Sequence, residues 1–128
     1  MPNRKPKVLV VDDDPGMLDF VRDALSPHGF DVMPAGGGEQ GLKIARREPV
    51  DLVIVDILMP GKDGLETIME LRRTQIFAKL IAMSGGGSFQ LANALDWAEK
   101  MGAQRTLRKP FTSEELLRVV RETLGIAT

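Results

Sequence analysis

The chain has 128 residues, 43% of them apolar and 27% charged, which suits one globular domain with a single core. Its 17 Lys and Arg against 18 Asp and Glu leave a net charge of −1, so no basic field draws it to nucleic acid. The lack of cysteine removes disulfides, thiolate metal sites and thiol nucleophiles.

No apolar run approaches the length of a membrane span. The basic start, residues 1–7, leads into a short apolar run and then three Asp residues, which is not a signal peptide. The expected default location is the cytoplasm, with no membrane insertion.

Apolar runs alternate with helical patterns five times, which predicts βαβ units and a parallel sheet. The first strand is predicted at 7–11, where Val8-Leu9-Val10-Val11 meets Asp12-Asp13-Asp14. A helix near 15–26 carries Met17, Phe20, Val21, Ala24 and Leu25 on one stripe. His28, the single histidine, falls in the loop Ser26-Pro27-His28-Gly29, which argues against a His-based zinc cluster or a Ser-His-Asp triad. The second strand, 31–35, contains Pro34, and a helix near 39–47 follows it. The third strand, 51–55, runs into Asp56, with a helix near 64–74 behind. The fourth, 79–83, leads to Ser84, then Gly85-Gly86-Gly87 and a helix near 88–101. The fifth, 105–108, is short and polar and leads into Lys109-Pro110-Phe111. The last helix, 113–124, opens on Thr112-Ser113-Glu114-Glu115, a capping-box pattern. Leu116, Leu117, Val120 and Leu124 give it a core face.

Strand character predicts the sheet order. The first, third and fourth strands are continuously apolar and should be buried on both faces. Pro34 would not suit a central strand, and the fifth strand is polar, so these two should be edges. The order 2-1-3-4-5 satisfies both conditions. It is the flavodoxin-like, doubly wound α/β order, and it makes the first and third strands neighbours at the switch point. Ligands of open α/β sheets bind beyond the carboxyl ends of the strands. Asp12–Asp14, Asp56, Ser84 and Lys109 should therefore share one edge of a (βα)5 fold.

Clustered carboxylates at one edge invite a hard cation such as Mg²⁺, and a carboxylate can also act as a nucleophile toward phosphorus. Lys109 could pair with a phosphoryl oxygen as a point charge, and Ser84 could donate its hydroxyl to another. Each residue alone has a plainer explanation. Asp12–Asp14 ahead of a helix would serve as N-caps, Lys109 as a solvated lysine and Ser84 as a turn residue. Their joint placement favours a phosphoryl site.

With the motifs VLVVDDDP, LVIVDILMPGKDG, KLIAMS, GAQRTLRKPF and the final helix, the chain resembles a receiver domain of two-component response regulators. The resemblance covers essentially all of 1–128 as one domain. It implies that Asp56 is the phosphoacceptor and that Mg²⁺ is held by Asp13 directly, by Asp12 largely through water, by Asp56 and by the backbone carbonyl of Leu58. It implies Ser84 as the switch hydroxyl, Lys109 as the phosphoryl-pairing lysine and a cis peptide before Pro110. Met59-Pro60-Gly61 and Asp63-Gly64 would shape the loop after the phosphoacceptor. The implied partners are a sensor histidine kinase or phosphotransfer protein and an unknown downstream protein target. The implied activity is a self-phosphorylating and self-dephosphorylating switch, not a turnover enzyme.

Departures from the family pattern carry expectations of their own. Thr106 stands where the family usually has the aromatic that moves on activation, so Thr106 and Ser84 form an unusual switch pair. The glycine-rich segment 84–89 is then expected to carry the signal. An apolar Leu58, where the family often has a polar side chain, favours slow loss of the phosphoryl group. In the family the first helix and the loop after the fifth strand meet the kinase. Leu18 could contribute there, with boundary packing as its alternative role, and Trp97 is either an output anchor or a cover for the edge strand.

Gly36-Gly37-Gly38-Glu39-Gln40-Gly41 matches the dinucleotide-binding pattern, but it follows the second strand and leaves the Asp and Lys cluster unexplained. A phosphatase-like hydrolase would carry an acid/base Asp at position 58, where this chain has Leu. No effector motif follows the last helix. That suits a single-domain regulator acting through protein contacts without nucleic acid. A receiver excised from a longer regulator, or a non-phosphorylated binding module, is the alternative.

Overall fold

A computed structural model describes residues 4–57, 64–74, 78–85, 96, 99–100 and 102–126. Five parallel strands form one sheet: β1 (Lys7–Val11), β2 (Asp31–Ala35), β3 (Leu52–Asp56), β4 (Lys79–Ser84) and β5 (Arg105–Arg108). Their order is β2-β1-β3-β4-β5, the flavodoxin-like order that strand character predicts. β3 is fully buried and β1 nearly so, whereas β2 and β5 are largely half-buried or exposed.

The helices are α1 (Pro15–Leu25), α2 (Gly38–Arg47), α3 (Gly64–Arg73) and α4 (Ser113–Leu124), with a short 3₁₀ turn at Ser26–His28. The helix expected near 88–101 lies mostly outside the described residues, though Asp96, Glu99 and Lys100 are helical. His28 sits exposed in the 3₁₀ turn. Among the described residues no helix is long and apolar enough to cross a membrane.

Alternation along the strands splits the core in two. Leu9, Val11, Val53, Val55, Leu80 and Ala82 face α2 and α3, where Leu42, Ile68 and Leu71 meet them. Val8, Val10, Leu52, Ile54, Ile81 and Met83 face α1 and α4, where Val21, Leu25, Leu116 and Val120 pack. Leu18 packs half-buried against this second layer. On the same side Phe20 meets Phe111 edge-on, with ring centroids 5.9 Å apart. The capping box is formed: the Glu115 amide donates to Thr112 Oγ1 and the Thr112 amide to Glu115 Oε1.

β3 begins one residue later than the sequence suggests, because Asp51 serves as a junction. Its amide donates to the Lys7 carbonyl and its carbonyl accepts from the Lys79 amide. Its carboxylate accepts from the Lys7 amide at 2.7 Å and from Arg4 at 2.9 Å. Burial opposes the Asp51 charge, but the Lys7 amide and Arg4 outweigh it and bring its pKa below the ordinary 3.8. The last glycine of the Gly36–Gly41 stretch has a packing role. A Cβ on Gly41 would stand 2.8 Å from Val11 Cγ2.

Three outcomes are expected. Gly41→Ala should lower stability by about 1–2 kcal/mol in urea titration, since a strand valine has little room to yield and overpacking exceeds the gain in helix propensity. Gly37→Ala has nothing within 4 Å to clash with, but it replaces the N-cap of α2 and should cost less, about 0.5–1 kcal/mol. Asp51→Asn should lower the Tm at neutral pH. The depressed pKa means that the contribution of Asp51 is present above 3.8 and fades as pH falls through the lower native value, so the gap to wild type should narrow in acid.

Candidate functional site

Three strand ends build the site. β1 stops at Val11 and places Asp12 and Asp13 just beyond the sheet, while β3 ends on Asp56 itself. Because Val11 pairs with Val55, the three carboxylates converge, with one oxygen from each within 4.8 Å of the others. Asp12 is fully buried, Asp56 is 6% exposed, and Asp13 is open to solvent. Asp14, in contrast, is the α1 N-cap: its side chain accepts from the Gly16 amide at 3.0 Å. Capping and convergence thus divide the acidic run between them.

Lys109 arrives from the end of β5. Its amide donates to the Ser84 carbonyl at 2.8 Å, and its Nζ donates to Asp12 Oδ2 at 2.8 Å and to Asp56 Oδ2 at 3.0 Å. Burial alone would lower its pKa, but the Asp12 and Asp56 carboxylates prevail and raise it above 10.5. The Lys109–Pro110 peptide is cis, as the resemblance implies. The second oxygen of Asp12 accepts from the Asp14 amide at 2.9 Å.

Ser84 is fully buried at the end of β4, one residue beyond Met83, the register partner of Asp56. Its hydroxyl donates to the Gly85 carbonyl at 3.4 Å, a long and weak bond. Thr106 is half-buried and pairs with Ala82. Leu58, Met59, Pro60, Gly61, Asp63, Gly86, Gly87 and Trp97 lie outside the described residues, as does most of the 84–89 segment.

Three carboxylates in reach of one another suit a hard, oxygen-seeking divalent ion. The ammonium beside them suits an additional anion, a phosphoryl group above all. Two contacts escape sequence reasoning, one beside the site and one at the opposite edge of the sheet. Gly64 packs so tightly on Asp56 and Ile57 that a Cβ would overlap the Asp56 carbonyl; the resemblance implies its place in the loop after Asp56 but not this contact. Arg72, half-buried, donates to the Ala78 and Gly102 carbonyls. Nothing in the spacing of α3 marks that arginine out.

Residues 8–121 match the response regulator receiver domain family. The chain belongs to that family. Among curated relatives, the transcriptional regulatory protein CpxR of Klebsiella pneumoniae subsp. pneumoniae (strain HS11286) is 34% identical over 118 residues, 92% of this chain and 49% of that protein. The transcriptional regulatory protein GlrR of Escherichia coli (strain K12) is 33% identical over 124 residues, 97% of this chain and 27% of that protein. The chain thus spans half or less of the length of these relatives. A CheY-like receiver domain protein of Methanospirillum hungatei JF-1 superposes with a TM-score of 0.85 at 27% identity, covering 94% of each chain. Chemotaxis protein CheY4 of Vibrio cholerae gives 0.83 at 28% identity, covering 93% of this chain and 98% of that one.

Lys109→Met leaves two buried carboxylates side by side without their shared cation. It should cost about 2 kcal/mol or more in denaturant titration. The raised pKa means that the lysine's contribution holds below 10.5 and is lost only as pH climbs through the higher native value. The gap to wild type should therefore stay level between about pH 6 and 9.

Proposed function

We propose that this receiver domain is a phosphorylation-dependent switch in which Asp56 accepts a phosphoryl group from a phosphohistidine on a sensor histidine kinase or phosphotransfer protein. The observation that supports it most is the shared ammonium: Lys109 bonded to both Asp12 and Asp56, with Asp13 beside them. An Asp56 carboxylate oxygen attacks phosphorus. The P–N bond breaks as the P–O bond forms, and the leaving imidazole takes a proton from solvent. Lys109 exchanges a carboxylate oxygen for a phosphoryl oxygen. Ser84 exchanges its weak bond to the Gly85 carbonyl for a second phosphoryl oxygen.

The donor set fits Mg²⁺. Asp13 is exposed and offers a direct ligand, and Asp56 offers another. Asp12 acts largely through water, since its two oxygens already accept from the Asp14 amide and Lys109. The Leu58 carbonyl is the remaining protein ligand in this reading. The ion, when bound, neutralises charge on the transferring phosphoryl group.

In this reading Ser84 and Thr106 form the switch, and the chain is a stoichiometric phosphoacceptor, not a turnover catalyst. It works in the cytoplasm through protein contacts and makes no nucleic-acid contact of its own. A receiver joined to an effector is the second reading, favoured by the length of the curated relatives and by the words "transcriptional regulatory" in their names.

Incubation with acetyl phosphate and Mg²⁺ should add one phosphoryl mass to the intact protein. The adduct should vanish without the metal and in Asp56→Asn. A folded protein that takes no adduct is a non-phosphorylated binding module instead.

A further inference from the structure

α3 touches the phosphoacceptor at one end and the approach to β5 at the other. At its start Gly64 lies directly against the Asp56 carbonyl and the Ile57 Cα. In its last turn Arg72 donates to the Ala78 carbonyl at 3.3 Å and the Gly102 carbonyl at 3.2 Å. Gly102 is shaped for that contact: its φ is +109°, and a Cβ there would stand 3.1 Å from the guanidinium. The segment 102–104 is held from the sheet as well. The Gln104 amide donates to the Leu80 carbonyl, and the Leu80 amide donates to Gln104 Oε1 at 2.7 Å.

We propose that α3 is a strut carrying the state of Asp56 to the turn at 102–104, with Arg72 as its far anchor. The proposal rests on the reading of Asp56 as the phosphoacceptor. The contacts form a closed circuit: Asp56 to Gly64, along α3 to Arg72, across to Gly102, along β5 to Lys109, and back to Asp56. β5 is therefore held at both ends. A phosphoryl group on Asp56 acts on both ends together, because Lys109 must exchange a partner while the Asp56 backbone bears on α3. Ten helical residues form a rod about 15 Å long, and close-packed elements shift as bodies more readily than they compress. Such a route needs no aromatic side chain at position 106, where this chain has Thr.

The test is hydrogen exchange by mass spectrometry on the whole chain, with and without acetyl phosphate and Mg²⁺, with the adduct measured in the same samples. Exchange at amides 102–105 should differ about fivefold between the phosphorylated and unphosphorylated wild type, a local stability change of readable size. Arg72→Met should still take the adduct but show equal exchange in the two states. A merely structural arginine would raise exchange in both states and leave their ratio intact, which overturns the proposal. An unchanged 102–105 segment in phosphorylated wild type also overturns it. Arg72→Lys, with one ammonium in place of the fork, should shrink the ratio, and it decides the matter if Arg72→Met does not fold. Failure of the wild type to take any adduct removes the phosphoacceptor reading and this inference with it, and the mass distinguishes that case.

Discussion

One ammonium shared by two carboxylates is the constraint from which the rest of this structure is best understood. Asp12, fully buried, and Asp56, nearly so, sit on neighbouring strands. Two such charges at one sheet edge repel, and burial makes each costly. Lys109 offsets both at once, but it can do so only if β5 ends beside β4 and points its lysine back across the sheet. The Lys109 amide on Ser84 secures that placement. The edge is thus balanced without being closed. The Lys109 side chain is 20% exposed, and Asp13 remains open to solvent beside it.

The sheet was legible in the sequence because its signals are local and repeat. Runs of valine, leucine and isoleucine fall in strands with both faces covered, and Pro34 and the polar β5 mark the edges. The capping box at Thr112–Glu115 announces α4 in the same way. The acidic run was legible as a site but ambiguous in its division of labour. Which of three consecutive Asp residues caps the helix depends on where β1 ends and how the backbone turns, and the answer is Asp14.

What was not legible lies in long-range pairing to backbone groups. Asp51 looks like the first residue of a strand, yet it binds the Lys7 amide 44 positions away. Arg72 looks like any charged residue near a helix end, yet it reaches a carbonyl 30 positions away. Backbone carbonyls are the same at every position, so no residue type at 78 or 102 advertises the partner. Gly102 is the exception in part, and its meaning emerges only once the guanidinium is seen above it.

Pro34 has a consequence beyond placing β2 at the margin. The Asp31 amide donates inward to the Pro6 carbonyl, so by strand alternation the amide positions at 33 and 35 also face β1, and those at 32 and 34 face outward. Proline at 34 deletes one of the two outward donors. A foreign strand laid along β2 would meet a broken row of hydrogen-bond partners, and the sheet resists growing from this side into aggregates. A residue first read as a clue to topology also limits sheet-to-sheet polymerisation at high local concentration.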